Sequence, residues 1–347
     1  MRILYSYSEQ SSILYVLSLI HCIYCITQLH VTHTYIYMIK PELYPVYTDP
    51  GLAASAESKA MEIRLLSHGM DFHRGEDCIR ISHPHLIYAQ GIIDHFDLYH
   101  SAVEPTRTAN VNLVDYSRPA HHRVRGWPLM PLHAPSFLEP ITTTLDYLPA
   151  LALRPGDHVL DLGAYAGQTA ITFAEHVGPM GRVQPVDADP INIASQQINF
   201  DLYARLSGIY INAIHAAIWS HDQGLEFSSE GNMGSSAVEL VGMNRGLDRV
   251  LVPSYRLSSL VDHACMSRVD VIKCDIEGAE TEIFGDSEFF GRYRPRTIMV
   301  ETHWIAGTST ALRVKDALAQ WGYNSRELAT SHQVSSLPLL LFTREGE

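Results

Sequence analysis

Positive charge is scarce in this chain. Its 347 residues carry 25 Lys and Arg against 38 Asp and Glu, a formal net charge of −13. Nucleic-acid binding rests on Lys and Arg neutralising phosphates, and no basic stripe supplies them here, so no nucleic-acid partner is expected. Cysteine is scarce too: Cys22, Cys25, Cys78, Cys265 and Cys274 are odd in number and scattered in spacing. That excludes a disulfide framework and points to a reducing compartment. Cys22 and Cys25 lack the second pair that a structural zinc needs. The 19 histidines include no HExxH and no facial-triad spacing, since His83 and His85, or His121 and His122, are neighbours rather than one helical turn apart. No metal is assigned. Internal repeats and low-complexity tracts are also lacking, and 46% apolar with 18% charged residues is a globular composition.

The N-terminus lacks charge of either sign. From Ser11 to Ile39 there is no Asp, Glu, Lys or Arg, and that length suffices to span a bilayer. His21, Gln28, His30 and His33 interrupt the run, and only Arg2 precedes it, offset by Glu9. The basic leader and small-residue cleavage site of a secretory signal are missing. The expectation is a cytoplasmic protein whose working part opens near Met38; a membrane anchor through residues 11–39 is the alternative and is not favoured. The chain therefore divides into an apolar extension or membrane segment (1–40), an accessory or lid region (41–144) and a ligand-binding domain (145–347). Within 41–144, Ser55–Leu66 reads as a helix and Asp77–Tyr88 as strand-like. Tyr116–Pro140 is proline-rich and irregular, and its His121, His122, Arg123, Arg125 and Trp127 are candidates for a lid, although a solvated wrapping loop is the simpler reading.

The informative stretch is Asp161-Leu162-Gly163-Ala164-Tyr165-Ala166-Gly167. Asp157–Leu160 before it reads as a buried strand behind the turn pair Pro155-Gly156. Gln168–Val177 after it reads as a helix with Ile171, Ala174 and Val177 on one face. Strand, glycine turn and helix in that order aim backbone N–H groups and a helix N-terminus at a ligand. A further strand, Arg182–Val186, ends on Asp187, a carboxylate suited to ribose hydroxyls. The dinucleotide fingerprint G-x-G-x-x-G is absent, because Tyr165 occupies its middle glycine and obstructs a pyrophosphate. A ligand with an amino-acid tail fits better, and S-adenosylmethionine is such a ligand. Asp161 then orders the turn and faces the ligand's ammonium group.

Val269–Glu280 repeats the strand–turn–helix junction, and period-two alternation puts Lys273 and Asp275 on one face. Gly278 loosens the turn, and Glu280 falls in the first turn of the next helix, where negative charge suits the dipole. Lys273 is expected to pair with a carboxylate, and Cys274 to be a buried small hydrophobe. Thr297–Val300 is a third strand, ending Glu301-Thr302-His303. Asp161, Asp187, Asp275 and Glu301 are thereby expected along one sheet edge. Ala311–Trp321 reads as a helix with Leu312, Val314, Leu318 and Trp321 inward, followed by strands at Tyr323–Leu328 and Leu337–Thr343.

In order and spacing, DLGAYAGQTA, VDADP, HAAIWS, GNMGSSAVE, VIKCDIEGAE and RPRTIMVETH resemble the FkbM-type methyltransferases, over roughly Leu145–Arg344. The most specific piece is KxDxEGxE, matched by Lys273, Asp275, Glu277, Gly278 and Glu280. The resemblance implies an α/β fold with a Rossmann-like class I methyltransferase sheet, mostly parallel with an antiparallel last strand. It implies S-adenosylmethionine as cofactor and O-methylation of a hydroxyl on a small molecule, glycan or lipid. Carried over, Asp161, Gly163, Ala164, Tyr165 and Gly167 form the cofactor loop and Asp187 the ribose contact. Asp187 stands where the family has Glu, and Tyr165 where it has Asn. Asp275 and Glu277 are the candidates for general base, followed by His303, whose imidazole titrates near neutrality. An NAD(P)-dependent oxidoreductase on a Rossmann sheet and a non-catalytic scaffold of the same fold remain the alternatives. Nothing in the sequence fixes the oligomeric state or the acceptor.

A chain beginning at Met38 is expected to be soluble and to bind S-adenosylhomocysteine. Aggregation of that shortened chain, with the full chain sedimenting with membranes, would establish the anchor instead.

Overall fold

The computed structural model describes residues 50–344 apart from 84–85, 87–88, 109, 119, 126–130, 135–140, 230–235, 238–247 and 329–337. The run 11–39, Trp127 and most of GNMGSSAVE lie outside the described residues.

Helix α1 (Pro50–Ser58) stops short of the predicted Leu66. Ala60 takes a left-handed φ of 55°, and Glu62–Leu66 is instead an edge strand, β1. Its Glu62 and Arg64 stand opposite His73 and Asp71 of β2 (Gly69–Arg74). Opposite charges across antiparallel strands, here Arg64 against Asp71, stabilise the extended form. Strands β3 (Asp77–Ser82), β4 (Thr106–Thr108) and β5 (Val111–Asp115) complete a five-stranded sheet in the order β1-β2-β3-β5-β4. Met70, Phe72, Ile79, Ile81 and Val114 turn to the core. On the other face Arg64, Asp71, Arg80 and Asp115 stand in one row of alternating sign, and Arg80 grips Asp71 through bonds of 2.7 and 2.8 Å. Helices α2 (Ala89–Asp94) and α3 (Phe96–Ser101) cover the apolar face. His121 to Arg123, expected in irregular chain, belong to the strand Ala120–Arg123 paired with Pro131–Ala134. His122 is buried against the Tyr116 ring.

Helix α4 (Ile141–Leu151) leads into the second sheet. Its elements follow as β6 (His158–Leu162), α5 (Gln168–Val177), β7 (Arg182–Asp187), α6 (Pro190–Ser207), β8 (Ile214–His215), α7 (Leu257–His263), β9 (Val271–Cys274), α8 (Glu280–Ile283), β10 (Thr297–Glu301), α9 (Ala311–Ala319), β11 (Tyr323–Leu328) and β12 (Leu339–Arg344). The seven strands run β8-β7-β6-β9-β10-β12-β11. All pairings are parallel except those of β12, which is antiparallel to both neighbours. This is the α/β architecture expected, with the antiparallel closing strand in place.

Alternation gives this sheet two cores. Leu160, Ile272, Ile298, Leu340 and Phe342 pack on one side with α7 and α9. Val159, Val183, Val271, Met299 and Leu341 pack on the other with α4, α5, α6 and the apolar face of the five-stranded sheet, so both sheets share a single core. Of the predicted inward face of α9, Val314 and Leu318 are buried, but Leu312 is 68% exposed. Trp321 lies beyond the helix and anchors instead by donating its indole N–H to the Phe284 carbonyl at 2.8 Å. No helix among the described residues is long and apolar enough to cross a membrane.

Below the sheet, Arg296 forks the Asp157 carboxylate, with one bond of 2.9 Å to Oδ1 and a second to Oδ2. Burial alone would raise the Asp157 carboxyl, but Arg296 and the Arg154 N–H outweigh it and hold it below the usual carboxylate range. Arg296→Ala leaves that carboxylate buried and unpaired, which is expected to cost about 3–5 kcal/mol at neutral pH. The depressed pKa makes the stabilisation complete above the unfolded-state value and lost as pH falls through the folded one. The gap between wild type and Arg296→Ala in urea melts should therefore close below about pH 4. A gap unchanged from pH 7 to 3 would show that packing, not charge, carries the pair.

Candidate active site

Strand order reverses between β6 and β9, so the crevice above their carboxyl ends is where an open α/β sheet binds ligands. The loops leaving these strands touch. A Cβ on Gly163 would stand 1.6 Å from the Asp275 carbonyl oxygen, and Gly163 has a φ of 74°. Only glycine permits that crossing.

Alternation also explains which side chains meet here. Val159, Val271 and Met299 face one core, so Asp161, Lys273 and Glu301, two residues further on, share their face. Lys273 pairs in register with Asp161. Its ammonium group, 4% exposed, donates to the Gly163 carbonyl at 2.7 Å and stands 3.4 Å from Asp161 and 3.7 Å from Asp275. It pairs with carboxylates, as expected, and also locks the first loop.

That loop, residues 163–167, is held at nearly every peptide. The N–H groups of Gly163 and Ala164 bond the Val186 carbonyl at 2.9 and 3.1 Å. Tyr165 donates its N–H to Asp187 at 2.8 Å. From α6, Gln196 and Asn199 donate to the carbonyls of Tyr165 and Ala166 at 2.8 and 2.7 Å. Under these restraints Tyr165 keeps a left-handed φ of 45°, a conformation that costs a non-glycine residue about 1–3 kcal/mol. Gly167 caps α5 and has no side chain to accept from the helix's first N–H groups.

The residues present fit an ammonium-bearing adenosine ligand at one point in particular. Asp161 is fully buried and neither carboxylate oxygen has a hydrogen-bond donor. Burial, with repulsion from Asp275, pushes its carboxyl up to about 6 against the pull of Lys273. Asp187 accepts from Tyr165, from the Asp189 N–H at 2.9 Å and from Asn192 at 3.3 Å, so besides the ribose role expected of it, it braces the loop. Burial pushes it up to about 7.

On the other side of the crevice, His303 brings Asp275 and Glu277 together. Its Nε2 stands 3.5 Å from Asp275 and 3.7 Å from Glu277, and its Nδ1 stands 3.2 Å from Glu280. Glu280 was expected to serve the dipole of its helix. The helix is a single turn, and the fully buried carboxylate instead accepts from the Gly278 N–H at 2.8 Å and the Thr310 hydroxyl at 2.6 Å. Those bonds, with His303, outweigh burial and hold Glu280 below its usual range. Burial opposes charge on His303, but Glu280, Glu277 and Asp275 overcome it and push the imidazole up to about 10. The cluster therefore keeps His303 protonated, where the lone residue was expected to titrate near neutrality. Burial raises Glu277, with Asp275 and Glu301 adding repulsion; the charge of Asp275, then burial, raises Glu301. Tyr147 on α4 donates to Glu301 at 3.2 Å. Tyr147, Glu280, Thr310, Gln196 and Asn199 were not singled out as site residues. Glu280 alone had a signal, its place in KxDxEGxE.

Residues 161–325 match the family model of the methyltransferase FkbM domain. No curated protein matches the chain. Similar solved structures include a precorrin-6y C5,15-methyltransferase from Geobacter metallireducens, with 10% identity over 60% of this chain and 91% of that one at a TM-score of 0.35. Fibrillarin from Aeropyrum pernix with natively bound S-adenosyl-L-methionine shows 14% identity over 58% and 73%, at a TM-score of 0.38. A SAM-dependent methyltransferase from Aquifex aeolicus shows 13% identity over 58% and 88%, at 0.33.

Asp187→Ala strands buried N–H groups of the loop, at about 1–3 kcal/mol for each donor left unpaired. Both the melting temperature and the affinity for S-adenosylhomocysteine in titration calorimetry should fall. Lost affinity with unchanged stability would make Asp187 a direct ligand contact rather than a brace.

Proposed function

We propose that this enzyme transfers a methyl group from S-adenosylmethionine to a hydroxyl oxygen on a small molecule, sugar or lipid, in the cytoplasm. One observation carries the reading. The glycine loop and the carboxylate-bearing loop cross at Gly163 and Asp275, so a donor seated on one lies against the basic groups of the other.

The donor supplies a methyl group already activated on a sulfonium, so the carbon–sulfur bond breaks with its electron pair on sulfur as the acceptor oxygen bonds to carbon. The protein's part is placement and proton handling. Asp161, buried, with the Lys273 ammonium 3.4 Å away as its cationic neighbour, faces the ammonium end of the ligand, and the restrained 163–167 loop presents its backbone to the rest. Fixing two reactants in a near-attack geometry removes up to about 7–11 kcal/mol of barrier in the best-oriented cases. The acceptor hydroxyl grows acidic as its oxygen attacks, and a carboxylate raised towards neutrality is matched to receive that proton. Glu277 is such a carboxylate. His303, protonated and facing Asp275 and Glu277, keeps the like charges together. The accessory region, residues 41–144, is assigned the choice of acceptor, because α4 and Tyr147 connect its core to Glu301.

Glu277→Gln keeps shape and removes the proton acceptor. Turnover should fall by about a hundredfold or more, while the affinity for S-adenosylhomocysteine stays near wild type. The measurement is methyl incorporation from labelled donor into hydroxyl compounds of a host extract, beside calorimetry. Wild-type turnover in both Glu277→Gln and Asp275→Asn would remove the carboxylates from the mechanism.

A further inference from the structure

We propose that Asp275, Glu277 and His303 form a binding site for a single divalent cation of intermediate hardness, Mn²⁺ being the fitting probe. The proposal rests on the methyl-transfer reading for its chemistry, but not for its test.

The ligand set is mixed. Two carboxylates and an imidazole each present one atom, and all lie within 4.8 Å of one another. His303 Nε2 is 3.5 Å from Asp275 Oδ1 and 3.7 Å from Glu277 Oε2. Those gaps are long for a charge-assisted hydrogen bond, which runs about 2.7–2.9 Å. Donor atoms bound near 2.0–2.2 Å from one ion in tetrahedral or octahedral positions stand about 3–3.6 Å apart, so the two distances from His303 are close to that spacing, and the carboxylate oxygens, within 4.8 Å of each other, draw in to complete it. Oxygen donors suit Mg²⁺ and Mn²⁺, and the imidazole shifts the preference towards Mn²⁺ and Zn²⁺.

The histidine is also oriented as a ligand. Glu280 Oε1 faces Nδ1 at 3.2 Å, and Glu280 is itself fixed by Thr310 and the Gly278 N–H. On binding a cation, His303 gives up its Nε2 proton and keeps the Nδ1 proton towards Glu280, so that Nε2 joins the two carboxylates as a donor atom. A carboxylate–imidazole–metal relay has this form. Two separate stretches supply it: Asp275, Glu277 and Glu280 come from the junction between β9 and α8, and His303 from just beyond β10. Lys273, on the far side of Asp275 at 3.7 Å, is already committed to Asp161 and the Gly163 carbonyl.

A cation here binds the acceptor oxygen. It lowers the hydroxyl's pKa, so that Glu277, bound through one oxygen, takes the proton on its other oxygen while the acceptor oxygen attacks the methyl carbon.

The test uses the full 347-residue chain, stripped with chelator and titrated with Mn²⁺ alone, followed by electron paramagnetic resonance. One saturable site per chain is expected. Glu277→Gln and His303→Ala should each weaken it at least tenfold. Glu280→Gln, which touches no cation, should weaken it by roughly 10–100-fold through the orientation of His303. Circular-dichroism melts identify any variant that fails to fold, and Glu277→Gln, on a half-exposed loop, keeps the test open if His303→Ala does so. Absence of saturable Mn²⁺ binding, or binding indifferent to Glu277→Gln, overturns the proposal. Stripped enzyme that keeps full turnover overturns it too, leaving methyl transfer by direct base intact. Mn²⁺ binding without S-adenosylhomocysteine binding would instead sink the methyl-transfer reading and keep the site.

Discussion

A single buried ammonium group holds the crevice together. Lys273 sits at the point where the order of the parallel strands reverses, and it neutralises Asp161 while tying the Gly163 carbonyl to β9. Taking such a charge out of water costs several kcal/mol, and only close partners offset it. The partners are all site residues, so the lysine enforces their assembly: Asp161 from one loop, Asp275 from the other. Without it two carboxylates would face each other across the switch point with nothing between them.

Strain is placed with the same economy. Among the described residues, Tyr165 and Glu277 each hold a left-handed backbone, at φ 45° and 52°, and each belongs to one of the two loops that meet. Side chains there are forced into directions an extended or helical residue could not reach. Asp187, Gln196 and the crossing at Gly163 hold the first loop to its shape. A loop so constrained is preformed for its ligand and loses little freedom on binding.

Much of this was legible from residue order. The strands around Asp161 and Lys273 announce themselves by β-branched runs, the turns by glycine, and period two places Asp161, Lys273 and Glu301 on one face. What escaped is what depends on residues far apart in the chain. Tyr147 meets Glu301 across 154 positions, and the buried state of Glu280 is set by Thr310, 30 positions on. The bracing of the glycine loop by Asp187, through the Tyr165 N–H 22 positions back, had no signal in the residue's type or its place at a strand end. Local pattern misled at Ser55–Leu66, where a helical stripe yielded to pairing with β2, and at Leu312, where a periodic apolar residue simply faces outward.

The common core of the two sheets has a consequence for how such a protein can change its partner molecule. Phe72, Ile79 and Ile92 from the first sheet and its helices belong to the same packed cluster as Ile171, Phe173 and Tyr203 from the second. Cutting between them would lay bare a broad apolar surface on both pieces. The N-terminal half is therefore not a cassette that recombination can exchange intact. On the acceptor role proposed for that region, new preferences would arise by point replacements along the seam, each tested against the packing of both halves at once.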